Sequence, residues 1–161
     1  MSRHYLIDGY NVVRHPAFSG SGADERNALL SLIVNGRLCG SSANRVEVFF
    51  DGYPPSFGRQ PAYSSIQVVF SGGRSADDEI ISRVASSAHP RSFCVVSADG
   101  RIISAVRACG AAVMDPADFL AAGPKKGPHN REKEEQRPVT NGQRERINEE
   151  LSSLWLKKKK E

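Results

Sequence analysis

Apolar residues in this chain come in short runs that end on an acid. Tyr5, Leu6 and Ile7 run into Asp8. "RVEVFF" at 45–50 runs into Asp51, and "SIQVVF" at 65–70 leads through a glycine turn to Asp77 and Asp78. "SFCVVS" at 92–97 reaches Asp99. Short apolar runs rich in β-branched and aromatic residues, bounded by Gly, Pro or Asp, read as buried strands. Strands are therefore expected at 3–7, 45–50, 65–70 and 92–97, with a short fifth at 111–114. Between them the period changes. Residues 24–38 carry Leu29, Leu30, Ile33 and Leu38 at helical spacing, with Asp24 placed to cap them. In 71–87 a glycine turn precedes a helix, and Ser75 followed three residues on by Asp78 resembles a capping box. Residues 100–110 read as a helix stopped by Gly110, and 115–120 as one that opens on Pro116. The stretches 15–22 and 52–61 read as turn-rich loops. Strands alternating with helices predict an α/β fold with a mainly parallel central sheet flanked by helices.

The pattern stops at Gly123. Residues 123–142 hold almost no apolar side chain and read as a charged linker. In 143–161 the period returns, with Ile147, Leu151, Leu154 and Trp155 on one face of a basic amphipathic tail helix that ends in "KKKK". A body over 1–122 followed by this linker and tail is the expected organisation.

Charge divides along the same line. Residues 1–124 hold eleven Arg, no Lys and eleven acids, so the net +4 belongs to 125–161, with seven Lys, four Arg and seven Glu. A body without lysine excludes a Walker-type phosphate lysine, a Schiff base and a receiver-type lysine there. Cys39, Cys94 and Cys109 are widely spaced and follow no zinc or disulfide pattern, which suits core thiols in a reducing cytoplasm. No run approaches the ~20 apolar residues of a membrane span, and Asp8 comes too early for a signal peptide. His4, His15, His89 and His129 are scattered outside the strand-end motifs, and His4 is expected to be solvated on an edge strand.

Parallel strands place their C-terminal ends on one edge, where ligands bind. The spacing that makes each acid look like a turn residue would thus gather Asp8, Asp51, Asp77, Asp78 and Asp99 in one place. Taken singly, each reads as a turn or cap residue. Together they would repel unless a cation joins them. Hard oxygen donors without nearby His or Cys suit Mg²⁺ or Mn²⁺. Asn11 could add a neutral oxygen or a hydrogen bond to a phosphate, and Arg74 and Arg101 stand next to the acids in sequence. Arg14, Arg26 and Arg59 are further flanking candidates.

"YLIDGYNVV", "VFFDG", "VVFSGGRSADDEI" and "CVVSADGRI" resemble the motifs of the YacP-like NYN domains, a branch of the PIN-like nucleases. The resemblance covers about residues 3–120. It implies a Rossmann-like, PIN-like sheet and a metal-dependent endoribonuclease site with Asp8, Asp77 and Asp99 as its acidic centre. Asp51 and Asp78 join them as metal candidates, and Asn11, Ser75, Arg74 and Arg101 as substrate-binding candidates. The resemblance implies RNA as partner and Mg²⁺ or Mn²⁺ as cofactor. The basic tail, which lies outside the resemblance, adds mRNA or rRNA on ribosomes as candidate targets, and the cytoplasm is the expected compartment. The alternative is a catalytically inactive RNA-binding or adaptor protein.

Overall fold

The structure, a computed structural model, describes residues 2–20, 24–54 and 65–123. In chain order it contains β1 (His4–Asp8), α1 (Gly9–Val13), α2 (Glu25–Asn35), β2 (Arg45–Phe50) and β3 (Gln67–Phe70). Then follow α3 (Ala76–Ala85), a 3₁₀ turn (Pro90–Ser92), β4 (Phe93–Val96), α4 (Gly100–Ala108), β5 (Ala112–Met114) and α5 (Pro116–Ala121). The tail helix expected at 143–161 and nearly all of the 123–142 linker lie outside the described residues.

The five strands form one sheet in the order β3-β2-β1-β4-β5, and every pairing is parallel. The chain steps outward from β1 to β2 and β3, then returns to the other side of β1 for β4 and β5. Strand order therefore reverses between β1 and β4, and a crevice opens there at the C-terminal ends. Helices cover both faces, which is why the strand sequences are continuous apolar runs rather than alternating ones. Tyr5, Ile7, Val48, Phe50, Cys94 and Val96 face α1, α2 and α5 through Val12, Leu29, Ile33 and Phe119. Leu6, Phe49, Phe93 and Val95 face α3 and α4 through Ile80, Val84, Ile102 and Val106.

Local chemistry sets the helix ends. Asp24, Ser75, Asp99 and Asp115 each accept a backbone N–H as N-caps of α2, α3, α4 and α5. The Ser75 hydroxyl takes the Asp78 N–H at 3.1 Å, as the capping pattern predicts. Helix α2 stops at Asn35, short of the expected Leu38, because Gly36 caps it and Arg37 turns left-handed at φ +47°. Leu38 still enters the core, from the turn.

His4 differs from its expectation. β1 is the central strand, and His4 stacks on Phe93 with ring centroids 4.8 Å apart. Its Nε2 lies 2.7 Å from Glu47, an acid buried on β2 that also pairs with Arg83 at 3.2 Å. A buried carboxylate needs such partners. Cys39 and Cys94 are buried, Cys109 is half-buried, and none is in a disulfide. Among the described residues no helix is long and apolar enough to cross a membrane.

Candidate active site

β1 ends on Asp8, a residue only 7% exposed. Its Oδ1 accepts the Asn11 N–H at 3.2 Å and so caps α1. Its Oδ2 accepts the hydroxyl of Ser97 at 3.3 Å. Ser97, buried just past β4, in turn accepts the Asp99 N–H at 3.1 Å. Asp99 caps α4, its Oδ1 taking the N–H groups of Arg101 and Ile102 at 2.8 and 3.1 Å. The Asn11 amide oxygen accepts the Ala98 N–H at 2.9 Å. The two sides of the switch point are thus tied together by Ser97 and Asn11.

A second tie serves the neighbouring strands. Asp51 follows β2, and its Oδ1 accepts the N–H of Ala76, the first residue of α3, at 2.8 Å. Ser71 donates its N–H to Phe50, and Gly72 donates to Gly52 at 2.8 Å, so the ends of β2 and β3 stay paired. Gly52 and Gly72 have φ of +86° and +61°, a conformation that favours glycine at both positions. This arrangement delivers Asp77, on the first turn of α3, to the same edge.

Asp8, Asp51, Asp77 and Asp99 line one cleft of about 350 Å³, with Asn11 and further residues of α1 and the turn after it. Larger hollows of about 450 and 520 Å³ elsewhere gather no such set of acids. Burial pushes the Asp8 carboxyl up to about 6, with the charges of Asp77 and Asp51 adding to the effect against the Asn11 and Ser97 hydrogen bonds. Asp77 is likewise raised, by burial first and then by Asp99 and Asp51, while Arg101 opposes the shift. The cleft is therefore a concentration of mutually repelling carboxylates. Among the described residues no three Asp, Glu, His or Cys side chains stand in a geometry that could hold a metal ion. The donor set is still of the right chemistry for a hard divalent cation, being four carboxylates and an amide at one crevice.

The remaining predicted site residues do not line the cleft, although Arg101 and Asp78 act on Asp77 from beside it. Asp78 is exposed and bonded to Arg101, which holds its carboxyl below the ordinary value, with Ser75 assisting. Arg74 is largely exposed and reaches Glu79 at 3.6 Å. Ser75 is the α3 cap. None of these four lines the cleft. Four residues that do line it were not singled out as site residues: Tyr10, Arg14, His15 and Pro16. Arg14 figured only as a flanking candidate. The sequence signal for them is weak, because α1 ends at Val13 and Arg14 and His15 stand in its C-cap and the turn beyond.

A family model described as the YacP-like NYN domain matches residues 5–161. The chain belongs to the YacP-like NYN domain family. The match runs through the tail, well past the 3–120 stretch that carries the recognisable motifs. The fold is similar to the crystal structure of a mutant of Rae1 (YacP) from Bacillus subtilis. That likeness has a TM-score of 0.56 at 20% identity, covering 74% of this chain and 73% of that one. No curated protein matches the chain. The NYN domain is a PIN-like nuclease fold, so family membership supports a nuclease-like function related to RNA.

Proposed function

We propose that this protein is a divalent-metal-dependent endoribonuclease. The observation that carries the reading is the convergence of Asp8, Asp51, Asp77 and Asp99 on one cleft at the switch point of a parallel sheet. Asp8, Asp77 and Asp99 are the proposed catalytic carboxylates, with Asp51 as a further ligand to Mg²⁺ or Mn²⁺. Asp78 stands in reserve, bonded to Arg101. A bound ion would supply an activated water and charge compensation at the departing oxygen. The chain's own residues do the positioning. Ser97 fixes Asp8 Oδ2 and the Asp99 backbone at once, and Asn11 fixes the β4–α4 turn. The Asp51 bond to Ala76 sets where α3 begins, and hence where Asp77 stands. The substrate classes are mRNA or rRNA, and the basic tail supports encounter on a ribonucleoprotein such as the ribosome.

The test is cleavage of single-stranded and structured RNAs with Mg²⁺ or Mn²⁺, against a chelator control and Asp8→Asn. The expected result is cleavage by the wild type with either ion, and none in chelator or by the variant. RNA that binds without being cut under any ion would leave an inactive RNA-binding or adaptor protein. That second reading draws on the spacing of the cleft acids, which among the described residues bring no three metal-ligating side chains into a geometry that could hold an ion.

A further inference from the structure

Two side chains of the cleft have no task in the carboxylate chemistry. Arg14 caps the C-terminus of α1, and His15 follows it. Arg14 is placed by a stack of rings. Its guanidinium lies over Tyr10, 5.2 Å from the ring centroid. Tyr10 in turn meets Phe50 edge-on at 5.3 Å, and Phe50 is fully buried. A cation at the cleft is thus rooted in the core.

His15 is fixed in another way. Its Nδ1 accepts the Ala17 N–H at 3.2 Å. Pro16 between them has no N–H to offer, so Ala17 supplies the first available donor. A ring nitrogen that accepts a hydrogen bond carries no proton, and the neutral imidazole then bears its hydrogen on Nε2. The turn therefore makes His15 a hydrogen-bond donor within the acidic cleft.

An RNA phosphodiester entering that cleft meets four carboxylates of its own sign and needs donors. Arg74 and Arg101, the arginines that sequence spacing favours, are engaged with Glu79 and Asp78 and do not line the cleft. We propose that Arg14 and His15 form the phosphate-docking wall. The His15 Nε2–H and the Arg14 guanidinium hold non-bridging oxygens of the RNA backbone. The choice of RNA rests on the nuclease reading; the donor assignment rests on the geometry.

The experiment uses the full chain and a labelled single-stranded RNA oligonucleotide, with Ca²⁺ in place of Mg²⁺ so that binding is read without turnover. His15→Asn keeps an acceptor for Ala17 where Nδ1 stood and removes the Nε2 donor. His15→Gln carries an amide nitrogen out to the Nε2 position and gives up the Nδ1 acceptor. The docking role requires His15→Asn to weaken binding about tenfold, with His15→Gln recovering most of the affinity. A role confined to the turn gives the reverse order and overturns the proposal, as do equal affinities or equal losses in the two variants. Arg14→Gln, at an exposed position, is a second and independent reading. It should make the slope of log affinity against log salt shallower by about 0.7, as for one lost contact to single-stranded nucleic acid. An unchanged slope removes Arg14 from the wall. Cleavage is scored separately with Mg²⁺. RNA bound with the expected variant pattern but never cut defeats the nuclease reading and leaves the docking wall standing. RNA cut with no His15 pattern does the opposite.

Discussion

Asp8 is both of the things that a strand-end aspartate can be. One oxygen caps α1 through Asn11, and the other meets Ser97 in the cleft. Asp51 and Asp99 likewise bond helix N-termini through Oδ1. Turn residue and site residue are compatible roles for a carboxylate with two oxygens. The cost of placing Asp8 there appears in its titration. Its folded pKa of about 6 lies above the ordinary 3.8, so the folded protein binds this proton more tightly than the unfolded chain. The associated stability is complete below about pH 4 and is lost as pH rises through about 6. Asp8→Asn keeps an acceptor for the cap and removes the charge. In chelator at pH 7 it should therefore stabilise the protein by about 1–3 kcal/mol, with a smaller gain at pH 5. Urea unfolding at the two pH values checks this, and equal stability of variant and wild type at pH 7 would sink it. Ser97→Ala is the companion case. It removes the hydroxyl that joins Asp8 to the Asp99 backbone while leaving every carboxylate in place. If the nuclease reading holds, cleavage should fall by about 10- to 100-fold, as for other partners that orient metal-ligating groups. Full activity would deny Ser97 any orienting role.

At the scale of elements, α1 decides how much of the site the sequence discloses. Gly9–Val13 is a five-residue helix built from glycine, tyrosine, asparagine and two valines, none of them strong helix formers. Periodicity cannot be read from so short a segment, and it passes for a strand running into a loop. What holds it is tertiary. Asp8 caps it, Val12 is fully buried, and Gly9 lies so close to Phe50 that an added Cβ would stand 2.3 Å from the ring. Gly9→Ala should then force Phe50 or α1 to move and destabilise the protein by about 1–3 kcal/mol. Thermal unfolding of the variant is the check, and an unchanged midpoint would show that the contact relaxes freely. The longer elements were legible because their signals are local and redundant. β2 is a run of β-branched and aromatic residues broken only by Glu47 after its opening Arg45, and α3 and α4 have an N-cap and an apolar stripe each. The four cleft acids were legible for a related reason, since strand ends in a parallel sheet share an edge whatever the loops do. Asp78 was not separable from Asp77 by that logic. Only the α3 helix, turning one acid toward the cleft and its neighbour toward Arg101, distinguishes them. Arg14 and His15 were hidden with α1.

The whole molecule sets an acidic cleft in a body with no net charge and no lysine, and carries its excess of +4 in residues 125–161. The family match includes those residues. Long-range attraction to a polyanion therefore has little source in the body. The cleft repels phosphate until a cation and local donors compensate. If the nuclease reading holds, the basic residues of 125–161 are the expected source of that long-range attraction. Arginines and lysines that neutralise phosphates release counterions, so each contact steepens the dependence of binding on salt. A chain ending at Gly123 retains all the elements described here and lacks the seven lysines. It should bind RNA more weakly than the full chain at low salt and show a shallower slope of log affinity against log salt. Replacing Lys157, Lys158, Lys159 and Lys160 with Gln in the full chain should reproduce part of that change and leave the apolar stripe of Ile147, Leu151, Leu154 and Trp155 intact. A salt series on the three proteins measures it. Equal slopes would sink the tether and restrict the tail to packing or solubility. A shallow slope after truncation but not after the lysine replacement would move the contact to the other basic residues between 125 and 146.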